Sequence, residues 1–152
     1  MFKRSVVILT TLVFILSLSV HAFATQSTES SSVIYLENGD YITISVQQVK
    51  GRASGTTSGH KDMTYTASSG TVCWKATLYG TFSYTGTTAT CTAASCSVIV
   101  YESNWYTVSK SATKSGNTAT ATVTMGRKVL GITIDKDTYT TTLSCDKNGN
   151  LS

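Results

Sequence analysis

From residue 33 onward the chain consists of short runs of threonine, valine, isoleucine and tyrosine, separated by turn residues. β-Branched and aromatic side chains suit the pleated surface of a strand. No window beyond the N-terminal segment places apolar residues at three- and four-residue spacing together with good helix formers. The pattern predicts an all-β protein, an antiparallel β-sandwich of roughly eight to ten strands that is Ig-like in general architecture.

Two local patterns predict particular strands. Asn38-Gly39-Asp40 separates two β-prone runs, and Asn and Gly tolerate the positive φ of a tight turn, so a hairpin is predicted there. In the run over residues 71–84, the apolar residues Val72, Trp74, Ala76 and Leu78 alternate with a half-polar set, Cys73, Lys75, Thr77 and Tyr79. That period of two predicts a strand with one buried face.

Glycine and polar residues predict where the chain leaves the sheets. The segment 51–62 contains three glycines and no apolar period, so it is predicted to be an exposed loop. Residues 129–134 are predicted to form a strand, followed by a turn at 135–137.

The first 24 residues have the organisation of a secretory signal peptide. Lys3 and Arg4 form a positive start, residues 6–20 are largely apolar, and Ala22-Phe23-Ala24 fits a cleavage site. A retained membrane anchor is the alternative, but spanning a bilayer takes about 20 predominantly apolar residues, and the run at 6–20 is shorter and interrupted. We therefore expect cleavage after Ala24, a secreted, extracellular protein, and no membrane association afterwards.

Cleavage would leave a flexible polar leader at residues 25–32 and a single β-sandwich domain at residues 33–152. Loss of Lys3 and Arg4 lowers the formal net charge from +4 to about +2. The remaining cations are scattered rather than clustered, which argues against nucleic acid as a partner. The expected partner is an extracellular protein or glycan of unknown identity.

Four cysteines follow the signal segment, namely Cys73, Cys91, Cys96 and Cys145. Disulfides are favoured over metal binding, because an exported chain meets an oxidising environment and the spacings match no zinc knuckle. Four cysteines allow three pairings. The residues alone do not choose among them.

The second half of the chain resembles small secreted all-β proteins of unknown function from Gram-positive bacteria. The resemblance rests on WKATLYGTFSYTG at 74–86, ATC at 89–91, KSGNTATA at 114–121, RKVLGITI at 127–134 and CDKNGNLS at 145–152. It implies a bridge from Cys91 to Cys145, which closes a loop of about 54 residues and stabilises the fold by about 4 kcal/mol. Cys73 and Cys96 depart from the family pattern and would form the remaining pair. The family supplies no activity.

Catalytic residues are not expected. His60 is the only imidazole after the signal segment, and its place in the predicted loop indicates a solvated side chain rather than a catalytic base. The carboxylates fall mostly in predicted turns, where aspartate caps backbone amides. Asp146, Asn148 and Asn150 resemble the opening of a calcium loop, but the late carboxylate is missing, so a C-terminal turn is preferred. No metal or other cofactor is expected.

Aromatic residues provide the candidate binding surface. Trp74 alternates with apolar neighbours and is predicted to be buried. Trp105 and Tyr106 are adjacent, so in a strand they point to opposite faces and at least one can meet solvent. These two residues are the predicted binding residues.

Three functions follow from these patterns. The leading hypothesis is a secreted, non-enzymatic β-sandwich that acts as a surface interaction module for protein or glycan. The alternative is a bacteriocin-like or toxin-like effector that acts on the envelope of a neighbouring cell. A hydrolase that uses Asp and Glu is the weakest of the three.

Overall fold

The computed structural model describes residues 27–50 and 55–152, so the predicted signal peptide at 1–24 lies outside the described part. Within that part, all regular structure is strand. The eight strands are β1 Ser27–Tyr35, β2 Tyr41–Lys50, β3 Thr56–Thr66, β4 Val72–Tyr84, β5 Ala89–Val100, β6 Trp105–Ser115, β7 Thr118–Val129 and β8 Ile132–Ser144. The predicted all-β class is confirmed. No helix long and apolar enough to cross a membrane occurs among these residues.

The strands form two antiparallel sheets that face each other as a β-sandwich. The five-stranded sheet has the order β1-β2-β3-β4-β5, and the three-stranded sheet has the order β6-β7-β8. Within each sheet, strands that are consecutive in sequence therefore pair, and the chain passes from one sheet to the other between β5 and β6. This meander differs from the Greek-key connection of immunoglobulin domains, so the similarity to them is in the two-sheet architecture.

The space between the sheets contains two apolar clusters. The first is aromatic, with the rings of Tyr65 and Trp74 stacked at 5.5 Å and Trp105 at 4.9 Å from Tyr65. The second contains Leu78, which is fully buried, and extends to the end of β8. Trp74, Ala76 and Leu78 are buried, as the alternation predicted for β4, but Val72 at the start of the strand is 39% exposed. Cys73 and Thr77 on the opposite face are also buried, so the second face is less exposed than the pattern predicted.

The predicted hairpin at Asn38-Gly39-Asp40 is confirmed. It joins β1 to β2, and Gly39 has a φ of 82°, which glycine adopts without steric cost. The backbone N–H of Leu36 donates to the carbonyl oxygen of Asp40 at 2.8 Å and closes the turn.

Two predicted irregular segments are strands instead. Ser27 to Ser32, assigned to the leader, pair with β2 from Val49 to Ile44 and form most of β1. The loop prediction over 51–62 is wrong from Thr56 onward, where β3 begins. Gly59 does not mark a loop there, because a Cβ at this position would overlap the carbonyl oxygen of Gln47 on β2. It permits close backbone approach within the sheet.

The C-terminal turn is held by Asp146. Oδ1 of Asp146 accepts hydrogen bonds from the backbone N–H groups of Asn148 and Asn150, both at 2.8 Å, and Oδ2 accepts from Nδ2 of Asn150 at 2.8 Å. The side-chain and backbone hydrogen bonds from Asn150 hold the pKa of Asp146 below its usual value. The carboxylate therefore stabilises a turn, as the sequence predicts.

Candidate functional site

The two predicted binding residues lie on opposite faces of β6, as strand geometry requires. Trp105 points into the core and is only 7% exposed. Its ring contacts Tyr65, and the guanidinium carbon of Arg127 lies 5.8 Å from the ring centroid. Trp105 therefore stabilises the aromatic cluster and offers little surface to a ligand, so its prediction as a binding residue is not supported.

Tyr106 lies on the outer surface of the three-stranded sheet. Its hydroxyl shares a hydrogen bond of 2.9 Å with Oγ1 of Thr133, and Nζ of Lys128 lies 4.7 Å from its ring centroid. Gly126 lies beneath the ring, and a Cβ there would overlap it. Tyr106 is thus fixed between β7 and β8 at the base of the hairpin that joins these two strands.

The tip of that hairpin is apolar and exposed. Leu130 and Gly131 form the turn, and both have positive φ, 51° and 80°. Leu130 is 97% exposed and Ile132 is 69% exposed. A non-glycine residue in the left-handed region costs about 1 kcal/mol. We call residues 128–133 the hairpin tip.

The sequence pattern did not predict this turn. It predicted an uninterrupted strand over 129–134 and a turn at 135–137, whereas Asp135 and Asp137 lie within β8. The apolar residues around the turn give the same sequence pattern as a buried strand. Gly131 is the one signal that could have located the turn.

A second surface lies on the outer face of the five-stranded sheet. Strand register aligns Gln47, His60, Tyr79 and Ser95 in one row across β2 to β5. The adjacent row contains Ser45, Asp62, Thr77 and Ser97. We call these two rows the His60–Tyr79 face. They place an aromatic pair beside a carboxylate, an amide and several hydroxyls.

His60 and Tyr79 are neighbours on this face. Their ring centroids are 5.7 Å apart with an interplanar angle of 43°, and Tyr79 is 46% exposed. The prediction that His60 lies in a loop is wrong, because β3 places it at the centre of the sheet. Tyr79 is one of the aromatic residues that the sequence offers for a binding patch, but it was not among the predicted binding residues. Alternation shows which face of β4 it occupies and does not show that His60 lies beside it.

Asp62 is held rigidly next to the aromatic pair. Its Oδ1 accepts a hydrogen bond of 2.7 Å from Oγ1 of Thr77, and its Oδ2 is 3.3 Å from Nζ of Lys75. An ionised carboxylate has further acceptor capacity after these two contacts. A ligand that stacks on Tyr79 can therefore reach a preoriented acceptor.

The outer face of the three-stranded sheet has a different chemistry. Its central part contains only serine and threonine, and Thr124 and Thr138 share a hydrogen bond of 2.9 Å. Comparable pairs join Thr118 to Ser144 and Thr122 to Thr140. With no aromatic ring or charge among these hydroxyls, the His60–Tyr79 face is the better candidate for specific binding.

All four cysteines are free thiols in the structure, so the predicted disulfides are not present. The register excludes the pair of Cys73 and Cys96. Cys96 is opposite Leu78, five positions along β4 from Cys73, which is about 16 Å at the rise of a strand. A disulfide requires Cα atoms within about 7 Å.

Cys91 and Cys145 are placed differently. Both belong to the second apolar cluster, and their backbone N–H groups donate to the adjacent carbonyls of Gly116 and Asn117, at 2.7 and 3.0 Å. Burial raises the pKa of both thiols. The β6–β7 turn thus lies against both cysteines, and at neutral pH their thiols are protonated.

Three grooves on the described surface contain no carboxylate or imidazole. The three grooves, of about 450, 520 and 540 Å³, are lined mainly by serine, threonine and glycine, with Lys61 or Lys147 as the cations. None of these three is lined by Asp, Glu or His. Within residues 27–50 and 55–152, no group of three or more His, Cys, Asp or Glu residues is placed to hold a metal ion.

Comparison with known proteins gives no relationship to add to this geometry. No protein-family model, curated protein or solved structure matches the chain. The functional proposal therefore depends on the surfaces described above.

Proposed function

We propose that this protein is a secreted, non-enzymatic β-sandwich that binds a glycan or a protein through the His60–Tyr79 face, with a glycan as the better-suited ligand. The observation that carries the proposal is the pairing of an exposed tyrosine and a histidine with a fixed carboxylate on the outer face of the five-stranded sheet. The expected role in surface interaction is unchanged. The proposed binding site lies on the five-stranded sheet, whereas Trp105 belongs to the three-stranded sheet.

The face has the two kinds of group that sugar recognition uses. A pyranose presents an apolar C–H surface that stacks on an aromatic ring, and a rim of hydroxyls that pair with carboxylate and amide groups. Tyr79 and His60 supply the first, and Asp62 and Gln47 supply the second. The row from β2 to β5 spans about 14 Å at the usual strand spacing, which suits several units of an extended chain.

A non-enzymatic role is supported by how these groups are engaged. Asp62 already binds Thr77 and Lys75. His60 packs against Tyr79 on an open face, where water has free access. Nucleophilic catalysis needs a nucleophile with an adjacent base, or paired carboxylates. Cys145 is the one thiol that lines the three grooves described above, no histidine or carboxylate lines its groove, and burial raises its pKa.

The proposal also includes export of the protein and oxidation of its thiols. The signal-like segment at 1–24 supports export, and export would expose the thiols to oxidant. Cys91 and Cys145 are separate free thiols in the structure. We propose that oxidation of the exported protein joins them, and what supports this pair is the family resemblance together with their membership of one apolar cluster. Mass spectrometry of the exported protein should find this linkage, and four alkylatable thiols would refute it.

The experiment for the binding site uses two tyrosine variants. Tyr79→Ala should lower affinity for cell-wall or host polysaccharides by about tenfold, because it removes the stacking surface. Tyr101→Ala is the matched control, since Tyr101 is 53% exposed but follows the end of β5, about 20 Å along the chain from Ser95. Equal affinity of the two variants and the wild-type protein would exclude the His60–Tyr79 face.

An effector that acts on the envelope of a neighbouring cell is the second candidate. The observation that favours it is the exposed hairpin tip with Lys128 at its base, a feature that glycan binding on the other sheet does not need. Purified protein added to related Gram-positive strains should then slow their growth. Unchanged growth of every strain tested would remove this candidate.

A further inference from the structure

The hairpin tip has the features of a membrane anchor. We propose that residues 128–133 hold this protein at an anionic lipid surface, with Val129, Leu130 and Ile132 inserted among the lipid headgroups. The inference is independent of the glycan proposal, because it concerns the other sheet. It replaces the expectation from the sequence that the mature chain does not associate with membranes.

The tip extends beyond the rest of its sheet. The last pair between β6 and β7 is Trp105 with Arg127, and the backbone N–H of Lys128 donates to the carbonyl oxygen of Asn104 at 2.7 Å. Beyond Lys128, β7 is flanked by β8 alone. Two further residues on each strand reach about 7 Å at the rise of a strand, comparable with the 5–10 Å depth of the lipid headgroup region.

The apolar side chains of the tip have little cover from the protein. Exposed fractions are 50% for Val129, 97% for Leu130 and 69% for Ile132. Leucine also occupies a left-handed position where asparagine or glycine is the usual residue. An apolar side chain that is fully exposed and sits in a strained backbone conformation gains nothing from the protein itself. Its position is explained if it contacts another apolar phase.

The other hairpin of the same sheet provides the contrast. Gly116-Asn117 forms the turn between β6 and β7, and it is flanked by Ser115 and Thr118. That turn is polar throughout and packs beside Cys91 and Cys145 through backbone hydrogen bonds. Turn formation alone therefore does not account for leucine at position 130.

The charges beside the tip favour an anionic surface. Lys128 lies over Tyr106, and Lys136 is opposite Gly126, which lies beneath the same ring. Neither lysine forms an ion pair among the described residues, where Lys75 with Asp62 is the salt bridge found. The two acids that flank Lys136 on β8, Asp135 and Asp137, are opposite Arg127 and Met125 in the register.

This arrangement matches the order of groups at a lipid interface. Apolar side chains form the apex, a tyrosine lies below them, and lysines flank the tyrosine. Tyrosine is enriched at the headgroup level, and lysine is attracted to anionic headgroups. A convex apex with this order suits a deformable lipid surface better than a rigid protein pocket.

Vesicle sedimentation tests the proposal. The wild-type protein should bind vesicles of phosphatidylglycerol and phosphatidylcholine in equal parts, and bind pure phosphatidylcholine vesicles more weakly. Leu130→Asn keeps a residue that tolerates the left-handed turn but removes the apolar apex, so partitioning should fall about tenfold. Ile132→Thr, which retains strand propensity, should also lower it. Lys128→Gln should lower binding to the anionic vesicles only.

Ile99→Asn is the matched control, because Ile99 is 50% exposed on the outer face of the other sheet. It should leave vesicle binding unchanged, as should Tyr79→Ala, so that failure of this proposal is distinguishable from failure of the glycan site. The proposal is overturned if the wild-type protein binds neither vesicle, if both tip variants bind like the wild type, or if the tip binds only a protein partner.

Discussion

The hydroxyl of Tyr65 donates a hydrogen bond to Oδ2 of Asp40, which joins the first hairpin turn to the aromatic core. The same carboxylate accepts the backbone N–H of Ser68 at 2.8 Å and Nδ2 of Asn38 at 2.9 Å. Asp40 is 7% exposed. One charged side chain thus connects the β1–β2 turn, the β3–β4 turn and the core, so its ionisation is linked to folding.

Acid should destabilise the protein through Asp40. Burial raises the pKa of this carboxyl, but the hydrogen bonds from Tyr65, Ser68 and Asn38 outweigh it and bring the pKa below the ordinary value of 3.8. A lowered folded-state pKa stabilises the fold above the unfolded pKa, and this contribution is lost as pH falls through the folded pKa. Denaturant unfolding between neutral pH and about pH 2 should show the loss.

Asp40→Asn is the control for that titration. It should lower the free energy of unfolding at neutral pH by about 1–3 kcal/mol, because it weakens the bonds to Tyr65 and Ser68. Its stability should also vary less with pH below about pH 4. An identical acid dependence in the variant and the wild type would assign the effect to other carboxylates.

High pH should destabilise the protein through Tyr65, which donates the hydrogen bond to Asp40. Burial first, and then the hydrogen bond to Asp40, raises the pKa of Tyr65 to about 12. Since the folded-state pKa lies above the unfolded value of about 10, the contribution is complete below that value and is lost as pH rises toward the folded pKa. Burial also raises the pKa of Tyr139, so tyrosinate absorbance should show two late-titrating tyrosines, and Tyr65→Phe should remove one of them. A titration in which every tyrosine ionises near its ordinary pKa would contradict this.

Two substitutions at neighbouring turn positions should change stability in opposite directions. Leu130→Asn should raise the free energy of unfolding by about 0.5–1 kcal/mol, because asparagine tolerates the left-handed conformation better than leucine. Gly131→Ala should lower it, because the φ of 80° at that position is costly for alanine. Thermal unfolding of both variants checks the turn, and a loss of stability in both would mean that Leu130 is not strained.

Gly126 should be intolerant of a side chain because of Tyr106. A Cβ at position 126 would overlap the ring, so Gly126→Ala should cost about 1–3 kcal/mol of stability. In a Tyr106→Ala background the same substitution should cost much less. Equal costs in the two backgrounds would show that the ring is not the obstacle.

Alternation predicted the strands whose two faces differ in chemistry. Trp74, Ala76 and Leu78 met this condition, and all are buried. Alternation did not predict the strand over Ser27 to Ser32, because a polar edge strand pairs through its backbone without an apolar period. The loop prediction around His60 was wrong for a related reason, since Gly59 serves close backbone approach rather than a turn.

The candidate site was less predictable than the fold. Its defining contact brings together His60 of β3 and Tyr79 of β4, and that contact depends on a strand register that no local pattern encodes. Trp105 could be assigned to one of two faces but not to the core face. The hairpin tip was hidden because Leu130 and Ile132 resemble strand residues in sequence.

The most direct test of the account is an amide chemical-shift titration of the isotopically labelled protein with soluble fragments of cell-wall polysaccharide. We expect the largest chemical-shift perturbations at Gln47, His60, Tyr79 and Ser95, with little change among the threonines of β7 and β8. Perturbations confined to the three-stranded sheet, or none at saturating ligand, would contradict a binding site on the His60–Tyr79 face.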